Sequence, residues 1–274
     1  MSNEPDCRGR IPPKTLIVPS RELAPGAAFG WLRSGWSDFW KAPRISLSYG
    51  LFVFLVSIAV AWLAWKLGGY VLLLSALSGF VFIAPMLAFG LYSVSRQLCE
   101  GKKPNLDHTI RAIKRPLGNA MVFTLVLLVI FLLWARAGMM VQVFFPYGRD
   151  PEWAHIVSFL MIGSAVGSIF ACVSFAASVF SLPMIANRDV DVITAVISSV
   201  NGVLRNKPAM FIWAFLISTM TLIGFLTAGL GLIIIIPWLA YATWHGYREA
   251  LDVSELPRLP QENQPVQDSS QQEN

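Results

Sequence analysis

Residues 208–247 read PAMFIWAFLISTMTLIGFLTAGLGLIIIIPWLAYATWHGY, 40 positions without an Asp, Glu, Lys or Arg. A helix crossing a bilayer needs about 20 apolar residues. The stretch therefore accommodates two crossings, joined at 227–232 by "TAGLGL", where glycines permit a tight turn. The competing arrangement is one crossing with a partly re-entrant remainder.

The same reading extends outward along the chain. Uncharged intervals at 45–65, 67–95, 116–135 and 153–187 hold one crossing each. The expected fold is an all-α integral membrane protein of six transmembrane helices, near 46–66, 70–92, 118–137, 156–181, 208–226 and 230–248. The apolar segment GMMVQVFFPYG, 138–148, is too short to cross and reads as interfacial or as an overhang of the third helix. Composition agrees: 55% of residues are hydrophobic and 14% charged, against about a quarter charged in soluble domains. Residues 1–24 carry basic residues and prolines without the apolar core of a signal peptide, and 252–274 are rich in Pro, Gln and Asn. Both are expected to be disordered cytoplasmic segments flanking a membrane domain at 25–251. Cys7, Cys99 and Cys172 form no CxxC pair, so disulfides and thiolate metal sites are not expected.

Basic residues orient the helices. With both termini in the cytoplasm, 18 of the 21 Lys and Arg fall on the cytoplasmic side, leaving Lys66, Arg136 and Arg149 outside. In that frame Trp36, Trp40, Tyr92, Tyr241, Trp244 and Tyr247 are expected at the inner interface. Trp62, Trp65, Tyr70, Trp134, Tyr147 and Trp153 are expected at the outer one.

Three cytoplasmic segments carry apolar stripes at helical spacing: Phe29, Leu32, Trp36 and Phe39 or Trp40; Leu106, Ile110, Ile113 and Leu117; Ile193, Val196, Ile197, Val200 and Leu204. Arg33, Asp38 and Lys41 are expected on the water-facing side of the first. Each stripe precedes a proline at the entry to a crossing, Pro43, Pro116 and Pro208, where a first helical turn loses no hydrogen bond. A second proline sits late in each even crossing, Pro85, Pro183 and Pro237, as a candidate kink or pathway element. The implied architecture is three repeats of an amphipathic interfacial helix plus a transmembrane hairpin. Lys102, Lys103, Arg111, Lys114 and Arg115 of the second segment are candidate contacts for anionic lipid head groups.

The segments GWLRSGWSDFWKAPRISLSYGL, APMLAFGLYSVSRQLCEGKKPNL and LIIIIPWLAYATWHGYREAL resemble those of the proteobacterial predicted inner-membrane proteins of domain of unknown function 2189, over about residues 25–251. That resemblance implies location and span count, and no chemistry. Some relatives carry labels suggesting a terminal oxidase subunit. Haem–copper chemistry needs several intramembrane histidines, and His108, His155 and His245 all fall near the ends of expected crossings or outside them.

Other chemistry is equally thin. No expected crossing holds a charged residue near the midplane, where such a residue would mark an ion or proton pathway. GxSxG and HExxH are absent. Asp189 and Asp191 read as a favourable negative charge at a helix start, with metal coordination the sharper alternative. Gly163, Ser164, Gly167 and Ser168 form a small-residue face suited to close helix packing. The resulting expectation is a non-enzymatic scaffold, assembly or lipid-interacting module, with no cofactor and no nucleic-acid partner. Its partners would be the bilayer, anionic lipid head groups, and a membrane protein or a second copy. A transporter or channel for a small or lipid-like solute is the alternative.

Overall fold

The computed structural model describes residues 17–101, 104, 117–144 and 153–257, with backbone alone at 69–87, 89, 117, 141–144, 153–156 and 159–160. Among these the chain forms helices α1 (Ala27–Lys41), α2 (Pro43–Leu87), α3 (Phe89–Cys99), α4 (Leu117–Phe144), α5 (Trp153–Ser178), α6 (Ser181–Asn187), α7 (Val192–Arg205), α8 (Lys207–Leu226) and α9 (Leu232–Ala250). No β-strand occurs among the described residues; Ser20 and Leu251 form an isolated bridge. Four helical stretches there are long and apolar enough to cross a membrane: Pro43–Gly68, Gly118–Met140, Met161–Asn187 and Lys207–Leu226.

The expected turn near residue 228 is present. Thr227 accepts a hydrogen bond from Gly231 N at 2.8 Å and donates to Gly224 O at 2.8 Å. Ala228 and Gly229 adopt φ of 53° and 84°, the left-handed region where a Cβ is costly and glycine is not. The apolar overhang after the third expected crossing is helical through Phe144, as part of α4.

The expected turn between 66 and 70 is not formed, because α2 continues from Pro43 to Leu87. Forty-five residues at about 1.5 Å each extend about 67 Å, longer than one bilayer crossing. No proline interrupts this stretch before Pro85, and two glycines at 68 and 69 weaken a helix by only about 1 kcal/mol each. Helix breaks fall instead near the late prolines. α2 ends two residues beyond Pro85, and α5 gives way to α6 at Val179–Phe180, just ahead of Pro183. Ser199 of α7 bridges that second break, donating to Ala176 O at 2.7 Å and accepting from Phe180 N at 3.1 Å.

α9 is the hub of the packing, in contact with α1, α2, α3 and α8. Glycines set how closely it is approached. A Cβ on Gly35 of α1 would lie 2.6 Å from Ala242 N and 2.9 Å from Trp238 O, and one on Gly246 would lie 2.9 Å from the Trp31 ring. A Cβ on Gly50 of α2 would collide with the backbone of Ile233. Pro237 lies inside α9 and has no N–H to offer the Ile233 carbonyl four residues earlier. Gly50 packs on that carbonyl.

The two described amphipathic helices present their apolar stripes outward. In α1, Phe29, Trp36 and Trp40 are exposed while Ala28, Trp31, Gly35, Asp38 and Phe39 are buried. In α7, Ile193, Ile197 and Leu204 are exposed while Thr194, Ala195, Ser198, Ser199 and Gly202 are buried. The internal contacts are made by small and polar residues together with Trp31 and Phe39, while Phe29, Trp36, Trp40, Ile193, Ile197 and Leu204 face the surroundings. The second stripe, 106–117, lies outside the described side chains.

The flanking segments reach further into the fold than composition indicates. Val18 N donates to Ser198 Oγ at 2.9 Å, and Leu23 N donates to Asn206 Oδ1 at 2.8 Å. Arg21 N bonds Ala250 O at 2.8 Å, and Asp252 N bonds Pro19 O at 2.9 Å. Residues 17–24 and 252–257 are therefore hydrogen-bonded to the helices across the expected boundaries. Partners nearly 200 residues away satisfy these backbone groups, and such pairing leaves no mark in local composition.

Candidate functional site

The inward face of α1 repeats at 28, 31, 35, 38 and 39, spacings of three and four that line up along α9. Gly35 brings the helices close, and Asp38, one turn later, is carried into the contact. Its side chain is 4% exposed. Oδ2 accepts from His245 Nε2 at 2.8 Å, and Oδ1 accepts from Lys41 Nζ at 3.0 Å.

This overturns the expectation that Asp38 faces water. An i, i+3 lysine and a histidine from a distant helix together satisfy both carboxylate oxygens, which is the condition for burying a charge. Burial alone would raise the Asp38 carboxyl. The hydrogen bonds from His245 and then Lys41, with the charges of the same two groups, outweigh it and hold the acid below its ordinary value.

A second polar pair lies at the start of α2. Ser46 Oγ and Tyr241 OH are 2.8 Å apart, and Ser46 also reaches Ala42 O at 2.8 Å. Deeper in the fold, Asn187 Nδ2 donates to Tyr247 OH at 3.0 Å. Tyr92, Tyr241, Trp244 and Tyr247 are all buried within the fold. For Tyr241 and Tyr247 the interior supplies hydroxyl partners.

On the other side of Gly35, Trp31 lies over Gly246 and meets Trp213 edge to face, with centroids 5.5 Å apart. Its indole N–H donates to Glu249 Oε2 at 2.8 Å. Trp238 Nε1 donates across the same crossing to Leu32 O at 2.8 Å. An open cavity of about 350 Å³ is lined by Gly30, Trp31, Ser34, His245, Arg248 and Glu249. Glu249 keeps one oxygen beyond the indole bond, and Arg248 is exposed without an ion pair among the described residues.

The sequence-derived candidates distribute differently. Lys102, Lys103, Arg111, Lys114 and Arg115 lie outside the described residues. Pro183 is buried in α6 and Pro237 in α9, while only the backbone of Pro85 is described. A Cβ on Gly163 would meet nothing within 4 Å, and one on Gly167 would stand 3.7 Å from Trp134 Nε1. Ser164 and Ser168 are exposed, with Ser168 Oγ bonded to Ser164 O of its own helix at 2.7 Å. Gly35, Gly50 and Gly246 are among the glycines that bring helices together. Asp191 caps α7, accepting from Thr194 N at 2.9 Å, and Asp189 N bonds Pro257 O at 3.1 Å. No group of three candidate metal ligands occurs among the described residues.

These helices, with large apolar side chains on their outward faces, belong in a bilayer. Residues 72–187 match the family model described as Predicted integral membrane protein (DUF2189). The chain is an integral membrane protein with several membrane-spanning helices. The match supports the resemblance read from the sequence over 72–187, a shorter stretch than 25–251. It begins within α2 and ends with α6, so the crossing of α1 with α9 lies outside it. No curated protein and no solved structure matches the chain.

Proposed function

We propose that this chain is a non-enzymatic inner-membrane module that works through its cytoplasmic face as a scaffold, assembly or lipid-interacting factor. In the membrane it crosses several times, with both termini in the cytoplasm. The observation that carries this reading is the outward display of Phe29, Trp36 and Trp40 on α1 and of Ile193, Ile197 and Leu204 on α7. Helices that keep a row of large apolar side chains exposed gain stability by lying in the acyl boundary of a bilayer.

Two further features support it. α1 and α7 are each followed, after one residue, by a proline-started helix, α2 at Pro43 and α8 with Pro208 in its first turn. The most buried carboxylate among the described residues, Asp38, has both oxygens occupied, as suits a group that fastens two helices rather than one that takes a proton from a substrate. Partners on this reading are anionic lipid head groups and either a membrane protein or a second copy of the chain.

The test is isolation from native membranes with protein and lipid analysis of the same sample, followed by flux measurements in proteoliposomes. A defined set of retained lipids or proteins, with flux equal to empty vesicles, supports the module. A retained small solute that the reconstituted protein carries across the bilayer overturns it in favour of a transporter.

A further inference from the structure

Between α1 and α9, beside the Asp38–His245 pair, the 350 Å³ cavity carries two opposite charges that the fold does not consume. Glu249 is held in place because its Oε2 accepts the Trp31 indole N–H at 2.8 Å, and its second oxygen remains available. Arg248, the preceding residue on α9, is exposed without an ion pair among the described residues. Ser34 adds a hydroxyl from the facing helix, and His245 is fixed by its bond to Asp38.

We propose that this cavity binds the head group of a zwitterionic phospholipid bearing a primary ammonium, as in phosphatidylethanolamine. The guanidinium of Arg248 takes the phosphodiester, which matches its planar set of donors. The ammonium, with three N–H donors, is taken by the free oxygen of Glu249 and by Ser34 Oγ. A carboxylate in the wall disfavours a ligand of net negative charge, and a trimethylammonium lacks the N–H groups that Glu249 and Ser34 accept.

The position suits a lipid rather than a soluble head-group fragment. Phe29, Trp36 and Trp40 are exposed on another face of α1; with those rings in the acyl boundary, a cavity on the same helix lies at the level of the lipid head groups. This inference rests on the proposed reading that α1 lies at the cytoplasmic membrane surface, and it adds a specific ligand to that surface.

The test uses the full-length protein, purified in detergent and delipidated, with bound lipid counted by native mass spectrometry. The probes are dihexanoyl phosphatidylethanolamine, phosphatidylcholine and phosphatidylglycerol, together with glycerophosphoethanolamine, which is the same head group without acyl chains. The expected result is one site that prefers the ethanolamine lipid about tenfold over each other lipid, the worth of one charge-assisted contact. Glu249→Gln should abolish the preference over phosphatidylglycerol, and Arg248→Gln should weaken all three lipids about tenfold. Ser34→Leu fills the cavity without altering charge and should remove the site even if a charge variant unfolds. Equal binding of the three lipids, indifference to Ser34→Leu, or equal binding of free glycerophosphoethanolamine overturns the proposal. Association of the variants with phosphatidylglycerol vesicles through the apolar stripes reads the membrane-surface proposal separately. Its persistence alongside loss of head-group preference would refute the cavity alone.

Discussion

The approach of α1 to α9 at Gly35 makes a sharp prediction. A Cβ there would lie 2.6 Å from Ala242 N and 2.9 Å from both Ala242 Cα and Trp238 O. All three are backbone atoms of one helix, so none can turn aside as a side chain can. Restoring ordinary contact at 3.4 Å requires α1 to retreat by about 0.8 Å, within the range of backbone shifts that overpacking forces. Asp38 is carried on the same helix one turn away, and the same retreat stretches its 2.8 Å bond to His245 beyond good hydrogen-bond length. Overpacking costs about 1–3 kcal/mol, and weakening a charged hydrogen bond adds about 1 kcal/mol. Better helix propensity returns about 1 kcal/mol. Gly35→Ala should therefore destabilise by about 2 kcal/mol, lowering Tm by about 5 °C in a chain of this size. Thermal unfolding in detergent micelles measures it, with Gly163→Ala as the comparison. A Cβ at Gly163 meets nothing within 4 Å, so that variant should be neutral or slightly stabilised. If Gly35→Ala unfolds at or above the temperature of Gly163→Ala, the inferred close contact is wrong.

Three other outcomes follow from the same structure. Because the Asp38 carboxyl is held below its ordinary value, its contribution is complete above about pH 4 and is lost as pH falls through the lowered folded value. Acid unfolding should accordingly show a step below pH 4 in the wild type that is reduced in Asp38→Asn. Asn206 is buried and bonds both Leu23 N and Arg21 O, so Asn206→Ala should cost about 2 kcal/mol and speed tryptic cleavage after Arg21 severalfold; an unchanged rate would count against the strap. Asp191→Ala should lower stability by about 1 kcal/mol through loss of the α7 cap, with Asp191→Asn recovering most of it; an Asn variant as impaired as the Ala one would argue against capping.

Legibility from sequence divided along physical lines. The turn at 227–231 was visible because glycine and threonine at a break in apolar sequence report local backbone geometry. The place of Asp191 at the start of a helix was visible in sequence as a favourable charge there, while its cap hydrogen bond to Thr194 N came from the structure. The stripes on α1 and α7 were legible as periodicity, and their outward orientation follows from a bilayer being the apolar phase. Asp38 was misplaced because helical spacing alone puts it among polar neighbours, while its partner His245 lies 207 residues away. The closely packed glycines escaped for a related reason: GxxxG spacing at Gly163 and Gly167 is a pattern within one helix, whereas Gly35, Gly50 and Gly246 are used singly at crossings that no local pattern records. At Gly68 and Gly69 the sequence supplies an opportunity to turn without an obligation, and α2 remains helical through them.

The separation of Asp38 from His245 also bears on how the protein is made. At a synthesis rate of about 5–20 residues per second, the histidine that completes the pair is added about 10–40 s after the aspartate. Through that interval the inward face of α1, with its carboxylate and Trp31, has no α9 to pack on. The residues that fasten 17–24, Ser198 and Asn206 among them, also come late. A nascent chain halted before residue 245 therefore displays a charge on an otherwise membrane-seeking helix, a difference by which a quality-control protease could tell an unfinished chain from a finished one.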